Sequence, residues 1–168
     1  MRFLVASIVP LVFATSAWAD ASNVLSLSPG QDASNRIELL LSGDDNQLTL
    51  SQTFSGPLSP SAANSISLQV RGDRNGAGRA GSAPAPTLIA DLPWGSLTQS
   101  GHSNSMDLTV TGSDNLLAAV QRGSSNALKG SITGSMNQAA VSQTGQNNVA
   151  SFSQTGKGNM VSITQTSW

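Results

Sequence analysis

The stretch VSQTGQNNVASFSQTGKGNMVSITQ, residues 141–165, repeats an uncharged amide at a fixed interval. Its glutamines Gln143, Gln154 and Gln165 stand eleven residues apart, and glycine and asparagine recur at the same interval. A short period of this kind is the sequence signature of a repeat architecture, in which each unit stacks on its neighbours.

The same register runs unbroken through the second half of the chain, in three columns. The glycine column is Gly101, Gly112, Gly123, Gly134, Gly145 and Gly156. Three residues after each glycine stands an asparagine, namely Asn104, Asn115, Asn126, Asn137, Asn148 and Asn159. Two residues before the glycines stand Gln99, Val110, Gln121, Ile132, Gln143 and Gln154, and Gln165 closes the series. Three columns in one register indicate six copies of one structural unit.

Each unit has the pattern of a strand followed by a tight turn. Val161 and Ile163 alternate with Ser162 and Thr164, which is the period of a half-buried strand. The residues between glutamine and the next asparagine are mostly polar and contain glycine, which tolerates positive φ. The pattern predicts strands of about seven residues joined by tight turns.

The columns favour a coil over a flat hairpin. With two strands per turn of the coil, residues two units apart stack directly, whereas an antiparallel hairpin does not align identical positions. Glutamines of one sheet then form a ladder at a spacing of about 4.7–4.8 Å, in which each side-chain amide can bond its neighbours. Gln154 belongs to the opposite sheet, above Ile132 and Val110. The charged residues of this block fall on outward positions or in turns, as burial of an inward ladder requires.

The first half carries a degraded version of the same plan, in three strands that each begin at an asparagine: Asn35 to Leu41, Asn46 to Gln52 and Asn64 to Val70. After Asn75 the expected strand is replaced by GAGRA, and Pro93 to Gln99 is in phase to substitute for it. Counting that segment gives ten strands. We predict an all-β, two-sheet β-solenoid of about five 22-residue coils with cross-β stacking.

The chain divides into five segments on this reading. Residues 1–19 have the charge, apolar run and small-residue end of a cleaved secretory signal. Residues 20–34 precede the coils, 35–75 hold the degenerate coils, 76–92 form an insertion rich in Pro, Gly and Ala, and 93–168 form the regular solenoid. No later stretch is apolar enough to span a membrane, so we expect an exported chain without membrane insertion.

One strand of the regular block, Leu116 to Val120, is apolar on both faces. Either its alanine-rich outer face is tolerated in solvent, or the long excursion around Leu88, Ile89 and Trp94 folds over it.

Composition and residue placement argue against chemistry at a site. The chain has one histidine, no cysteine and 10% charged residues. Its net charge of −1 does not indicate a basic surface that could bind nucleic acid. We expect no catalytic residue, no cofactor and no metal site, because His102 lies in a turn and Asp44-Asp45 lacks the spacing of a calcium loop. The tripeptide at Arg71 to Asp73 can be explained by the turn column, and receptor adhesion is the lesser reading.

The pattern Gln-x-Gly-x-x-Asn, strand, Gln-x4-Asn resembles the curlin repeat of bacterial curli subunits, most closely in SQTGQNNVASFSQTGKGN. The resemblance is strong over 99–165 and weak over 35–75. It implies a secreted amyloid fibre subunit, major or nucleating, on the cell surface after transit through the periplasm. It also implies a second curlin-type subunit, accessory chaperones and an outer-membrane secretion pore, with export directed by about Asp20 to Ile37.

In that family, inward amide ladders matter for assembly. The resemblance maps this role onto Gln99, Gln121, Gln143, Gln154, Gln165, Asn104, Asn115, Asn126, Asn137, Asn148 and Asn159. The function it implies is a structural subunit that stacks edge to edge into fibres for adhesion and biofilm matrix. The alternative is a soluble, secreted β-solenoid binding module that does not polymerise. Such a module needs a regular outward array, yet the residues that follow each asparagine share no chemistry.

Overall fold

The computed structural model describes residues 12–14, 24–29, 35–56, 62–77, 89 and 92–168. This part of the chain contains twelve strands, all paired in parallel. They are β1 (Val12–Ala14), β2 (Val24–Pro29), β3 (Arg36–Ser42), β4 (Gln47–Phe54), β5 (Ser65–Arg71), β6 (Ser96–His102), β7 (Ser105–Ser113), β8 (Leu116–Ser124), β9 (Ala127–Ser135), β10 (Gln138–Gln146), β11 (Val149–Lys157) and β12 (Met160–Thr166).

Successive strands alternate between two sheets. The odd-numbered strands form one six-stranded sheet in chain order, here the odd sheet, and the even-numbered strands form the other, the even sheet. The chain therefore winds as a coil with two strands per turn, and Gln143 lies in register between Gln121 and Gln165. The predicted two-sheet β-solenoid is confirmed. The ten strands predicted from the sequence are β3 to β12.

The core lies between the two sheets and follows from the alternation. Inward positions of β3 to β10 are buried and mostly aliphatic, as in the burial pattern of β7, where Met106, Leu108 and Val110 alternate with more exposed residues. Each large buried aliphatic side chain contributes roughly 1.5–3 kcal/mol. The core opens at the C-terminal end, where Phe152 and Ile163 are only partly buried.

Most of the regular strands are nine residues long, two more than the sequence predicts. The turns stack in parallel as well, so that Gly112 pairs with Gly134 and the strand ladder continues into each turn. Each turn glycine has a φ near +100° to +123°, and the residue before most asparagines is left-handed too, for example Ser125. A Cβ at Gly101 would collide with the carbonyl oxygen of Gly123, so the close stacking of the turns requires glycine.

The fourth of the ten strands is split, as the sequence suggested. Gly76 forms a single parallel bridge on each side, to Gln47 and to Leu116, and the chain then leaves the coil. It returns at Gly95, whose N–H donates to the Leu117 carbonyl over 2.7 Å, and β6 follows. The substitution of the Pro93–Gln99 segment for the missing strand is confirmed, with the regular strand beginning at Ser96.

The outer face of β8 is covered by the returning segment. A second hydrophobic cluster joins Leu92 and Trp94 to the outward residues Ala118, Val120 and Ala140, with Ile89 packed against it. Of the two readings of the doubly apolar strand, the structure therefore shows the second.

Large parts of three sequence predictions lie outside the described residues. These are the secretory signal except for β1, the residue 20–34 segment except for β2, and most of the insertion. Among the described residues, no helix is long and apolar enough to cross a membrane.

Candidate functional site: buried amide rows

Five glutamines of the even sheet form one continuous hydrogen-bonded row inside the solenoid. Each side-chain nitrogen Nε2 donates to the side-chain oxygen Oε1 of the next glutamine towards the C-terminus, over 2.8 Å in all four bonds. The glutamine row consists of Gln52, Gln99, Gln121, Gln143 and Gln165. Its bonds all point the same way, so the row is polar.

The second amide hydrogen of each glutamine crosses the core to the odd sheet. Gln121 donates to the Ser105 carbonyl over 3.0 Å and Gln143 to the Ala127 carbonyl over 3.1 Å. Gln121 and Gln143 are fully buried, and a buried amide without partners costs roughly 1–3 kcal/mol. Stacking satisfies the amides and also ties the two sheets together at a fixed register.

The asparagines form two further rows, one per sheet, with the opposite polarity. The backbone N–H and the side-chain Nδ2 of Asn126 both donate to Oδ1 of Asn104, over 3.1 and 3.0 Å. Nδ2 of Asn126 also donates to the carbonyl of the turn residue Gly145 over 3.1 Å. Asparagine is suited to this position because its short side chain reaches the backbone of the neighbouring coil and closes the turn.

The structure places every predicted amide on the inner side of a strand or at its start, but it does not bring Gln154 into the glutamine row. Gln154 lies in β11 beside Ile132, which offers no donor. Its Nε2 donates to the Gln138 carbonyl over 3.1 Å, and its Oε1 is buried without a hydrogen bond. The other predicted glutamines and asparagines all belong to rows. Their role in assembly remains a prediction.

Sequence reasoning missed five members of these rows: Gln52, Asn35, Asn46, Asn64 and Asn75. They occupy the same positions in their strands as the later members, so strand phase was the available signal. The fixed sequence interval could not identify them, because Asn64 follows Asn35 by 29 residues and precedes Asn104 by 40. The chain segments that leave the coil break the spacing while the stack itself continues.

The glutamine row and the asparagine row of the odd sheet have unfinished ends. At the N-terminal end, Nδ2 of Asn35 and Oε1 of Gln52 are enclosed and lack hydrogen-bond partners among the described residues. At the C-terminal end, Gln165 uses one amide hydrogen on the Val149 carbonyl and has no further glutamine to donate to. Donors and acceptors of the rows are therefore left over at opposite ends of the molecule.

The charged residues in the described part of the chain lie in turns and on outer faces. Arg74 forms a two-pronged ion pair with Asp114 in the stacked turn of the next coil, over 2.7 and 3.0 Å. The hydrogen bond to Asp114, followed by its charge, raises the pKa of Arg74. In the tripeptide Arg71 to Asp73, the carboxylate of Asp73 accepts a hydrogen bond from the backbone N–H of Asp44. This bond helps hold the turns together. Within the described ranges, no cluster of three potential metal-ligating residues occurs.

The fold and its rows define a class: parallel two-sheet β-solenoids whose coils are aligned by stacked inward amides. Comparison with known families agrees with this. The family model of the curlin associated repeat matches residues 134–166, which supports a curlin-family assignment. The match covers β10 to β12 and confirms the resemblance over this part of the chain. No curated protein and no solved structure matches the chain.

Proposed function

We propose that this chain is a secreted structural subunit that self-assembles edge to edge into extracellular, curli-like amyloid fibres. The observation that carries the proposal is the open C-terminal end. There β11 and β12 each lack a neighbour on one side among the described strands, and the partly buried Val161 and Ile163 leave the core uncovered. An unpaired strand edge over an apolar core is a template for another chain.

The composition of that end favours growth there. Residues 130–156 contain no charged residue, and β12 has only Lys157 nearby. Charges at strand edges oppose uncontrolled pairing, and the first coils carry them at Arg36, Glu38 and Asp44. We therefore propose that the C-terminal coils dominate assembly.

The biological setting follows from the family resemblance. We propose that the fibres serve surface adhesion and the biofilm matrix, and that the chain is exported through the periplasm and an outer-membrane secretion pore with accessory chaperones. A second curlin-type subunit is a proposed partner. The competing function is a soluble β-solenoid module that stays monomeric.

Fibre diffraction of the purified exported chain after incubation separates the two functions. The fibre proposal expects reflections near 4.7–4.8 Å along the fibre axis and near 10 Å across it. A chain that stays monomeric at high concentration, with no thioflavin signal, would support the soluble module instead.

The role of the glutamine row in assembly has its own test. Gln143→Ala removes a fully buried member of the row, whereas Ser142→Ala changes the neighbouring, half-buried outward residue. We expect fibre growth to slow severalfold for Gln143→Ala and to change little for Ser142→Ala. Equal effects of the two substitutions would contradict a role for the row.

A further inference from the structure

Strand β2 occupies the edge of the even sheet that a second copy of the chain would need. β2 pairs in parallel with β4, in the register Leu25 with Leu48, Leu27 with Leu50 and Pro29 with Gln52. β1, which pairs with β3 in the other sheet, lies within the predicted signal, so in an exported chain β2 is the remaining cover of this end.

The sequence of β2 matches that of β12, at the opposite end of the solenoid. β2 reads VLSLSP and β12 begins MVSITQ, so aliphatic and hydroxyl residues coincide at the middle four positions. The last position differs, because β2 has proline where β12 has Gln165. β2 is thus an incomplete copy of the strand that ends the coil.

The proline of β2 lies opposite the glutamine whose Oε1 lacks a hydrogen-bond donor, which is Gln52. Proline has neither an N–H nor a side-chain amide to offer, and Oε1 of Gln52, which lies opposite Pro29 in register, is buried without a hydrogen bond. Gln165 has the matching unused donor, in the direction in which all bonds of the row run.

The odd sheet shows the same complementarity. Nδ2 of Asn35 lacks an acceptor at the start of its row, and Asn148 ends that row with no further asparagine to donate to its Oδ1. In every coil between them, the later asparagine donates to the earlier one. A second copy placed head to tail continues both rows with unchanged polarity.

From these observations we infer that β2 is a self-cap of the N-terminal edge, which β12 of a second copy displaces when the chains join. This inference rests on the proposed fibre function. In the joined state, Gln165 of one copy donates to Gln52 of the other, and Val161 and Ile163 cover Leu48 and Leu50 in place of β2. The missing amide makes β2 the weaker occupant, so the cap delays assembly without preventing it.

An engineered disulfide between β2 and β4 tests the exchange. Ser26 and Thr49 are partners in register, and Thr49 is exposed. The chain has no cysteine of its own that could compete with an engineered pair. Neighbouring parallel strands bring such pairs within disulfide reach. For Ser26→Cys/Thr49→Cys, we expect the oxidised chain to show a lag at least fivefold longer than the reduced chain.

The matched control tethers two strands that stay paired throughout. Thr133 and Thr155 are exposed partners of β9 and β11, so Thr133→Cys/Thr155→Cys should polymerise alike in both redox states. As a second variant, Pro29→Gln gives β2 the missing amide and should lengthen the lag. Ser26→Gln, opposite the exposed Thr49, should not.

The outcomes separate the two proposals. If neither wild-type nor reduced variant chains give cross-β fibres, the proposed function fails. If fibres form but the fully oxidised Ser26→Cys/Thr49→Cys chain grows as fast as the reduced one, the self-cap inference is wrong. The proposed fibre function is then retained. A pair that does not oxidise in the monomer also overturns the cap, because β2 would then not lie on β4.

Discussion

The side-chain nitrogen of Gln143 donates to the side-chain oxygen of Gln165 over 2.8 Å, and this is the last bond of the glutamine row. The row is an inward ladder in a core that is otherwise aliphatic, and its energetic value depends on continuity. A member with glutamines on both sides is fully satisfied, whereas an isolated glutamine in the same kind of position is not. Gln143 and Gln154 represent these two cases in one molecule.

The substitutions Gln143→Ile and Gln154→Ile should therefore differ in their effect on stability. Gln143→Ile leaves one amide hydrogen of Gln121 and Oε1 of Gln165 without their partners in the row, and we expect a loss of about 2 kcal/mol. Gln154→Ile removes an orphaned buried oxygen and places isoleucine beside Ile132, so the loss should stay below about 1 kcal/mol. Urea unfolding of freshly refolded monomer, followed by circular dichroism, measures both. An equal loss for the two variants would show that continuity of the row has no energetic value.

The turn glycines offer a comparison between an interior and a terminal coil. Gly134 and Gly156 share positive φ, but a Cβ at Gly134 meets the carbonyl of Gly156, whereas a Cβ at Gly156 has only the Asn159 amide within contact distance. Backbone strain alone costs about 1–3 kcal/mol. We expect Gly156→Ala to lose about that much and Gly134→Ala to lose clearly more or not to fold, in the same urea assay. A Gly134→Ala chain as stable as Gly156→Ala would contradict the close stacking of the turns.

The cover over β8 can be followed through Trp94. In a chain prepared from residue 20 onwards with Trp168→Phe, Trp94 is the one remaining tryptophan, and it is 9% exposed. We expect blue-shifted emission and weak quenching by acrylamide already in the monomer. Ala140→Glu places a carboxylate in the apolar cluster and should expose Trp94, while Ser151→Glu, on an exposed position of the odd sheet, should not. Strong quenching of the unsubstituted monomer would show that the segment does not pack on the sheet.

Sequence alone predicted the coil, the two sheets and most of the row members, because strand phase and the turn glycine each repeat with every unit. It did not predict whether Trp94 packs on the sheet, because an apolar outward residue such as Val120 is compatible with a covered strand and with a solvent-exposed one. It also could not show that Gln52 lacks a donor. That fact depends on the pairing of Pro29 with β4, which brings together two segments with no shared period.

Deletion of residues 137–168 tests the dominance of the C-terminal coils. The shortened chain ends in β9 of the odd sheet instead of β12 of the even sheet, and Gln121 takes the terminal place of Gln165 in the row. Its new end, however, carries Arg122 and Lys129, and charged residues at a strand edge oppose pairing with another strand. We expect thioflavin-detected growth to slow at least tenfold, with circular dichroism showing that the sheet is retained.

Replacing the two charges separates their effect from the loss of length. Arg122→Ser/Lys129→Ser in the shortened chain should recover a substantial part of the growth rate, because both side chains lie on exposed positions and their removal leaves the core unchanged. A shortened chain with its charges intact that polymerised as fast as the full chain would rule out a special role for the C-terminal end. Growth that stayed slow after both replacements would instead assign that role to the lost strands themselves, and to the row bond between Gln143 and Gln165 that they carry.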